Sequence, residues 1–455
     1  DAPKNMIVGF TWAPDGKSLF ASEPVAPDGP WIINEINITT GERRKILSPP
    51  EGQWDVNPVI SSDGKSLLFY RTAKTGTAVG GSLYVMSLSG GELRQITTFD
   101  QNSWGSGHTW TADNSEILFA SRRLMANGGD IWRVSALGGN PELVLAGRNS
   151  QFPVVSPQGE RLAFEENVSE EHIYRVAIPQ AGLPSRPPAK YIFSAQSEFS
   201  AQYSPDGKKI VFVSSRSGTP EIWMCDSDGL HATQLTSFGT GFVSSPKWSP
   251  DGQNIVFSGH SQGHNDIYVI TSYGGTPRRL TTEPSSDSSP GWSKDGRWIY
   301  FSSDRSGRRQ IWKMAADGGQ PIQITKQGGN EGVEAISGKT FYYTRYKDSP
   351  ARAELQPGIW AVSLETGEET LLVEAGNGSE NWALTEQGIY FIRSSKGEAV
   401  LEFFNFATRQ VMNLTTFGYD VNSYAGISVS PDNQWLLFTV QYQSRRNLML
   451  VENFR

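Results

Sequence analysis

The sequence predicts an all-β propeller built from ten four-stranded repeats. Three observations lead to this prediction. A turn motif recurs along the whole chain, its spacing fits one four-stranded sheet per repeat, and no segment has a sustained apolar period of 3.6 residues. We expect one continuous ring of ten sheets, with two propellers of four and six sheets as the alternative.

The first two strands of each repeat flank the turn motif. An apolar or aromatic residue is followed by Ser or Ala, Pro and an Asp-Gly turn, and then by an apolar strand that ends in Phe. The copies begin at Trp12, Ile60, Trp110, Val155, Tyr203, Trp248, Trp292 and Val429, with degenerate copies at Ile336 and Leu384. Their intervals of roughly 42 to 50 residues match the period of a four-stranded propeller sheet.

The turn itself predicts a backbone conformation. An Asp-Gly hairpin turn needs positive φ, which Gly adopts freely and Asn tolerates best among the other residues. We therefore expect positive φ at the turn position of eight copies, namely Gly16, Gly64, Asn114, Gly159, Gly207, Gly252, Gly296 and Asn433.

Apolar segments after each turn predict the third and fourth strands. Third strands read "LYVM" at Leu83, "IWRV" at Ile131, "IYRV" at Ile173, "IWMC" at Ile222 and "IWAV" at Ile359. A Gly-rich turn such as Gly274-Gly275 then leads to a fourth strand that ends "QIT", "QLT" or "RLT". Each repeat thus supplies one antiparallel sheet.

The two ends of the chain and one Pro-rich segment bear on domain organisation. The chain ends after a third strand, so ring closure would need an outer strand from residues 1–9, which are few for that purpose. The segment "PQAGLPSRPPAK" at 179–190 falls inside a repeat, between a third and a fourth strand. We therefore expect one domain over residues 1–455, with an alternative boundary near 196–200. Because the chain opens at Asp1, we also expect that a segment precedes it in the full protein.

One short stretch, "SGHSQGH" at 258–264, contains the G-x-S-x-G pattern of a serine-hydrolase nucleophile. The residues that follow, "NDIYVI", favour a strand, whereas a nucleophile elbow needs a helix. Ser261 also aligns with Arg216 and Arg305 of neighbouring repeats. We therefore interpret Ser261 as a hairpin-tip residue and predict no catalytic residue.

Composition narrows the possible partners. The formal net charge is −7, which argues against direct nucleic-acid binding by this segment, and no apolar run suggests membrane insertion. The single cysteine, Cys225, lies in an apolar strand and is interpreted as packing. The five histidines are spread over several repeats, so we predict no metal site and no cofactor.

Candidate ligand-binding residues lie on what we call the loop-rich face, formed by the hairpins after the second strand and the connections between sheets. Aromatic and Arg side chains are typical of recognition surfaces. The candidates are Trp54, Trp104, His108, Arg122, Arg123, Arg345 and Tyr346. The alternative is that Trp54 and Trp104 pack between neighbouring sheets.

The repeated motif resembles the TolB-type propeller repeat over essentially the whole chain. A narrower resemblance, to the propeller half of bacterial winged-helix transcriptional regulators, rests on "AQYSPDGKKIVFVSSRSGTPEIWMCDSDGLHATQLTSF" from Ala201, "WALTEQGIYFI" from Trp382, "FFNFATRQV" from Phe403 and "NLMLVENFR" from Asn447. This resemblance implies a non-enzymatic sensor or interaction module that binds a protein, a small molecule or a saccharide at the loop-rich face.

The resemblance also bears on location and on a rival function. It implies a periplasmic or otherwise extracytoplasmic location, with a cytoplasmic one as the alternative. Propellers with this repeat type also include polysaccharide lyases. A polysaccharide-active lyase or hydrolase that uses the central funnel is therefore the alternative function.

Overall fold

The computed structural model describes residues 9–26, 29–73, 81–97, 105–121, 130–145, 150–179, 187–239, 242–261, 264–345, 356–374, 381–395, 398–419, 421–422 and 425–454. In this part of the chain the regular elements are β-strands, β1 to β37 in chain order, without an α-helix. The predicted all-β class is confirmed. Within the same residues, no helix has the length and apolar character to cross a membrane.

The chain divides into two compact units. Unit 1 comprises Asp1–Val168 and Arg445–Arg455, and unit 2 comprises Ser169–Ser444. The division falls inside the two longest strands, β14 (Arg161–Ala177) and β37 (Trp435–Glu452), so each unit holds one part of each. These boundaries differ from the alternative boundary near 196–200, and the number of rings stays a prediction.

Unit 1 contains four sheets. Its other strands are β1 (Phe10–Trp12), β2 (Ser18–Pro24), β3 (Trp31–Asn37), β4 (Arg43–Leu47), β5 (Gln53–Ile60), β6 (Ser66–Ala73), β7 (Gly81–Ser87), β8 (Leu93–Gln95), β9 (Gly105–Trp110), β10 (Glu116–Ser121), β11 (Asp130–Ser135), β12 (Glu142–Leu145) and β13 (Ser150–Val155). Strands β1–β4, β5–β8 and β9–β12 form three antiparallel sheets in chain order, and β13 pairs with the first part of β14 in the fourth. The first strands β1, β5, β9 and β13 are successive neighbours.

Unit 2 contains six sheets. Its strands, apart from its parts of β14 and β37, are β15 (Ala189–Ile192), β16 (Glu198–Tyr203), β17 (Lys209–Ser214), β18 (Glu221–Asp226), β19 (Thr233–Gln234), β20 (Val243–Trp248), β21 (Asn254–Ser261), β22 (His264–Thr271), β23 (Gly274–Arg279), β24 (Asp287–Trp292), β25 (Trp298–Ser303), β26 (Gln310–Ala315), β27 (Ile322–Gln323), β28 (Gly332–Glu334), β29 (Thr340–Arg345), β30 (Gly358–Ser363), β31 (Glu369–Glu374), β32 (Trp382–Leu384), β33 (Gly388–Ser395), β34 (Glu398–Asn405), β35 (Gln410–Phe417) and β36 (Ile427–Val429). Five sheets follow in chain order as β16–β19, β20–β23, β24–β27, β28–β31 and β32–β35.

The sixth sheet of unit 2 joins strands from both ends of that unit. β36 and β37 supply its inner strands, and β14 and β15 lie beside them in the order β36-β37-β14-β15. The segment 179–190 therefore does lie between a third and a fourth strand, as predicted.

The outer strands for the last repeat come from β14 and β15, whereas the sequence suggested residues 1–9. Because the fourth and the last repeat share β14 and β37, ten repeats form nine sheets among the described residues.

The aromatic residue that opens the motif joins neighbouring sheets. The indole N–H of Trp110 donates to the carbonyl of Val59 at 3.1 Å, and that of Trp248 donates to the carbonyl of Gln202 at 3.3 Å. In both cases the acceptor is on the first strand of the preceding sheet. The motif thus specifies an inter-sheet contact as well as a turn.

The proline and glycine of the motif form a second contact of this kind. A Cβ atom placed on Gly252 would lie 3.9 Å from the Pro205 ring, and one on Gly207 would lie 3.4 Å from the Pro431 ring. The sheet of Pro431 therefore precedes the sheet of Gly207 in space, although it follows it in sequence. Tyr203 supports this order, because its backbone N–H donates to Ser428 Oγ at 3.1 Å.

The predicted turn geometry is confirmed. The six glycines have φ between 67° and 79°, while Asn114 and Asn433 have φ of 60° and 56°. In six of the eight turns a hydroxyl also donates to the Asp carboxylate, as when Ser293 Oγ donates to Asp295 Oδ1 at 2.6 Å. That carboxylate accepts from the backbone N–H of Arg297 at 3.0 Å. These hydrogen bonds lower the pKa of Asp295 to about 2.

Candidate functional site

A funnel opens at the axis of unit 2, on the face that carries the Asp-Gly turns. Its volume is about 420 Å³, within the range of small-molecule sites. Five of the six first strands contribute to its wall. The lining residues are Gln202, Tyr203, Ser204, Pro205, Lys247, Trp248, Pro250, Gly291, Trp292, Ser293, Lys294, Gly332, Val333, Ser428, Val429 and Pro431.

A repeated β-bulge in the first strands directs side chains towards the axis. Ser200, Ser245 and Ser289 have φ of 55°, 52° and 50°, and the pairing register shifts next to each of them. A bulge turns the strand locally and re-aims the side chains beside it. As a result, residues two positions further along, such as Gln202 and Lys247, line the funnel.

Lys247 lines the funnel and forms an ion pair with Glu331, which lies outside the funnel lining, and we call this pair the floor of the funnel. Lys247 Nζ lies 3.2 Å from Glu331 Oε1, and the gap beside the pair has a volume of only about 10 Å³. Glu331 is buried, and among the described residues its second oxygen, Oε2, has no hydrogen-bond partner. A buried carboxylate oxygen without a donor is costly, and the adjoining gap has room for about one water molecule that could donate to it.

The funnel wall combines charge, hydroxyls and an aromatic ring. Among the described lining residues, Lys247 and Lys294 are the charged ones. The indole of Trp292 is half-buried, and Gln202, Ser204, Ser293 and Ser428 add polar groups. Such a wall can donate and accept hydrogen bonds and can stack against a flat ligand surface.

A second cavity adjoins the funnel on the same face. It has a volume of about 510 Å³ and lies between the β20–β23 and β24–β27 sheets. Pro250, Trp292 and Lys294 line both cavities. A ligand longer than the funnel could therefore continue past Trp292 into this groove.

The residues predicted on the loop-rich face have different outcomes. Trp104, Arg122, Arg123 and Tyr346 lie outside the described residues. Trp54 is half-buried in β5, opposite Thr72 on β6. The ligand-binding role of these residues stays a prediction.

His108 is buried in unit 1. Its Nε2–H donates to the carbonyl of Asn57 at 2.8 Å. Burial lowers the pKa of His108 to about 4, so the imidazole is neutral at pH 7. His108 therefore joins two neighbouring first strands, β9 and β5, and a direct ligand contact stays a prediction.

Arg345 is buried in unit 2 and is held by three groups. Its Nη2 donates to Glu369 Oε2 at 2.8 Å and to the Tyr343 hydroxyl at 2.7 Å. Its guanidinium carbon lies 3.7 Å from the centre of the Trp360 ring. These contacts occupy the Arg345 side chain within its own sheet, while its proposed role in binding stays a prediction.

The structure places two further residues as the sequence indicated. Ser261 ends β21 opposite His264 at the start of β22, so it lies at a hairpin tip and the chain continues as a strand. Cys225 is buried, and burial raises the pKa of its thiol to about 12. In the part of the chain that the structure describes, no group of three or more His, Cys, Asp or Glu residues could hold a metal ion.

Sequence reasoning missed Lys247 and Glu331. Lys247 immediately precedes the motif residue Trp248, at the position where Gln202 precedes Tyr203. Glu331 was missed because the motif of its degenerate repeat was taken to begin at Ile336. In the structure the turn glycine of this repeat is Gly338, with φ of 69°, and it is equivalent to Gly296. The motif therefore begins at Glu334, the residue equivalent to Trp292. A comparison of the residues before each motif would have revealed this polar set.

Comparison with known families supports a TolB-type propeller over part of the chain. Residues 194–417 match the family model described as the TolB beta propeller domain. The putative TolB from Agrobacterium tumefaciens is 18% identical, with 77% of this chain and 94% of that chain covered and a TM-score of 0.32. TolB from Acinetobacter baumannii is 14% identical, with 85% and 82% covered and a TM-score of 0.39. An oligogalacturonate lyase from Vibrio parahaemolyticus is 12% identical, with 81% and 94% covered and a TM-score of 0.30.

Proposed function

We propose that this chain, which matches a TolB-type β-propeller over residues 194–417, is a non-enzymatic binding module that takes its ligand into the funnel of unit 2. The observation that carries the proposal is the floor of the funnel. There Lys247 and Glu331 form a partly buried ion pair, and Glu331 Oε2 has no partner among the described residues. A ligand that reaches this oxygen through a water molecule in the adjoining gap of about 10 Å³ relieves the cost of its burial.

The chemistry of the floor favours a polyhydroxylated ligand, namely a saccharide. An anion would be attracted by Lys247 but repelled by Glu331, and a cation would experience the reverse. A hydroxyl group both donates and accepts, so neighbouring hydroxyls can bond Glu331 Oε2 and the Lys247 ammonium together. The half-buried Trp292 offers an apolar ring face beside them.

We also propose that this binding module is the sensing part of a bacterial winged-helix transcriptional regulator and that it acts outside the cytoplasm. The resemblance of the second half of the chain to such regulators supports this proposal. DNA binding by the full-length protein, measured with and without the saccharide that binds the funnel, tests it. Unchanged DNA binding, or the absence of a DNA-binding domain from the full-length protein, would contradict it.

The funnel proposal is tested by binding measurements with a panel of probes. The panel contains neutral glucose and N-acetylglucosamine oligosaccharides, uronic acid oligomers and short peptides. We expect the chain to bind a saccharide. We expect Glu331→Gln and Gln202→Ala to weaken this binding about tenfold each, a change of about 1.4 kcal/mol.

Lys339→Ala is the matched control, because Lys339 forms an exposed ion pair with Glu365 in the same unit. Thermal unfolding of each variant checks that it is folded. Equal binding by wild type and both funnel variants would contradict the funnel site. If Arg122→Ala and Arg123→Ala weaken binding instead, the site lies on the loop-rich face. Degradation of a bound saccharide would favour the alternative, a polysaccharide-active enzyme.

A further inference from the structure

The first sheet of unit 1 exposes a face that other sheets bury. Phe10 is 60% exposed and Trp12 is 51% exposed, whereas Trp110 at the position equivalent to Trp12 is 7% exposed. The Trp110 indole donates to the preceding sheet. The Trp12 indole has no acceptor among the described residues. The face of β1 that should contact a preceding sheet is therefore uncovered.

The turn of the first sheet shows the same feature independently. A Cβ atom placed on Gly64 would lie 3.4 Å from the Pro14 ring of the preceding sheet, and one on Gly159 would lie 3.2 Å from Ala112 Cβ. A Cβ atom placed on Gly16 would meet nothing within 4 Å. Among the described residues, no side chain of a preceding sheet covers the turn at Gly16.

The fourth sheet of unit 1 exposes the opposite face. Val154 of β13 is 58% exposed, and Leu448 of β37 is 83% exposed. Met449, the neighbour of Leu448, packs towards the third sheet in a cluster with Leu118. Because side chains alternate along a strand, Leu448 points to the side where a following sheet would lie.

Phe152 of β13 does not belong to this face. A Cβ atom placed on Gly107 of the third sheet would lie 2.7 Å from Phe152 Cα and 3.0 Å from Phe152 Cδ1, so Phe152 contacts the preceding sheet. Its φ of 51° is that of the bulge which recurs at Ser200 and Ser245.

We propose that these two faces bind each other between two copies of this chain. The preceding face of β1, with Phe10 and Trp12, would contact the following face of the fourth sheet of the second copy, with Val154 and Leu448. Within one copy, the following face of each sheet packs against the preceding face of the next sheet. The two exposed faces are of these two kinds, so the second copy offers a complementary surface.

The contact is head to tail, and two such contacts satisfy both copies. Each unit 1 carries one half-junction at each end, so a twofold pair uses all four exposed faces and leaves none open. Closure of this kind removes exposed apolar surface that would otherwise favour aggregation.

Sedimentation velocity of the purified chain over about a hundredfold range of concentration tests the proposal. We expect a reversible dimer. We expect Trp12→Arg and Val154→Glu each to shift the chain to monomer, because each places a charge in an apolar junction. Tyr273→Arg, at an exposed site in unit 2, is the control and should leave the dimer intact.

A mixture of the two variants tests the head-to-tail geometry. A copy with Trp12→Arg still has an intact fourth sheet, and a copy with Val154→Glu still has an intact first sheet. One junction can therefore form between them, and we expect the mixture to regain dimer that neither variant forms alone. A monomeric wild type, dimers insensitive to either substitution, or a mixture that stays monomeric would each overturn the proposal.

Discussion

The indole N–H of Trp292 donates to the backbone carbonyl of Lys247 at 3.2 Å. This bond joins the first strands of two neighbouring sheets at the residue whose side chain forms the floor of the funnel. The bond from Trp248 to Gln202 repeats it one sheet earlier. The aromatic residue of the motif therefore holds the funnel wall together as well as the sheets.

Replacing Trp248 by Phe should lower the free energy of unfolding by about 1–3 kcal/mol. The substitution removes the indole donor and leaves the Gln202 carbonyl without this partner. Trp12→Phe is the matched control and should have little effect, because the Trp12 indole has no acceptor among the described residues. Chemical denaturation at low protein concentration measures both. Equal losses in the two variants would show that ring volume, and not the hydrogen bond, determines the effect.

Replacing Gly252 by Val should destabilise unit 2 by about 1 kcal/mol or more, because φ is 71° there and a β-branched residue is strained in this region. Gly252→Asn should cost less, since Asn114 and Asn433 occupy equivalent turns. The nearest atom to an added Cβ is 3.9 Å away, so the difference should reflect the backbone alone. Melting temperatures that do not separate Val from Asn would contradict this explanation.

Replacing Arg345 by Ala should destabilise unit 2 by about 3 kcal/mol, because the substitution leaves the largely buried Glu369 carboxylate without its charged partner. Arg44→Ala removes an exposed ion pair with Glu35 and should cost about 1 kcal/mol or less. Denaturant titration of the two variants measures the contrast. A small effect at Arg345 would restore it as a candidate for direct ligand contact.

Acid should destabilise unit 1 through His108. Its pKa is lowered from 6.5 to about 4 in the folded state, so between these values the unfolded chain binds the extra proton. Stability therefore rises with pH across this window. We expect the free energy of unfolding of His108→Gln, which keeps an N–H donor, to change less with pH between 4 and 6.5 than that of the wild type. His231→Gln, at an exposed histidine, should leave it unchanged.

Glu171 should act in the opposite direction in unit 2. Burial raises its pKa from 4.5 to about 7, so the folded state holds the extra proton between these values. Its contribution to stability is present below pH 4.5 and is lost as pH rises through 7. We expect Glu171→Gln, which cannot ionise, to keep its stability over this window while the wild type loses it. Denaturation at pH 5 and pH 7 measures both, and parallel curves would contradict the assignment.

The local features of the fold could be predicted from the sequence. Gly252 and Asn433 adopt positive φ because the turn motif requires it, and the strand after Ser261 follows from the β-branched and aromatic residues there. Each of these features depends on a few adjacent residues. Local sequence therefore determines them.

The long-range features could not be predicted in the same way. The pairing of β14 with β37 joins segments separated by most of the chain, and alternation of apolar residues does not specify which strand lies beside which. Glu331 was missed because its repeat lacks the complete turn motif. Only the pairing of β28 with β29 determines where Glu331 lies relative to the axis. Both features arise from tertiary pairing.

The sheet that joins β14 and β15 to β36 and β37 sets the order in which unit 2 can be completed during translation. β15 ends at Ile192, and β36 begins at Ile427. At roughly 5–20 residues per second, roughly 10 to 50 s separate the emergence of these two strands from the ribosome. During that time the nascent chain carries an unpaired strand edge, so unit 2 should depend on chaperones during synthesis more than on refolding once complete.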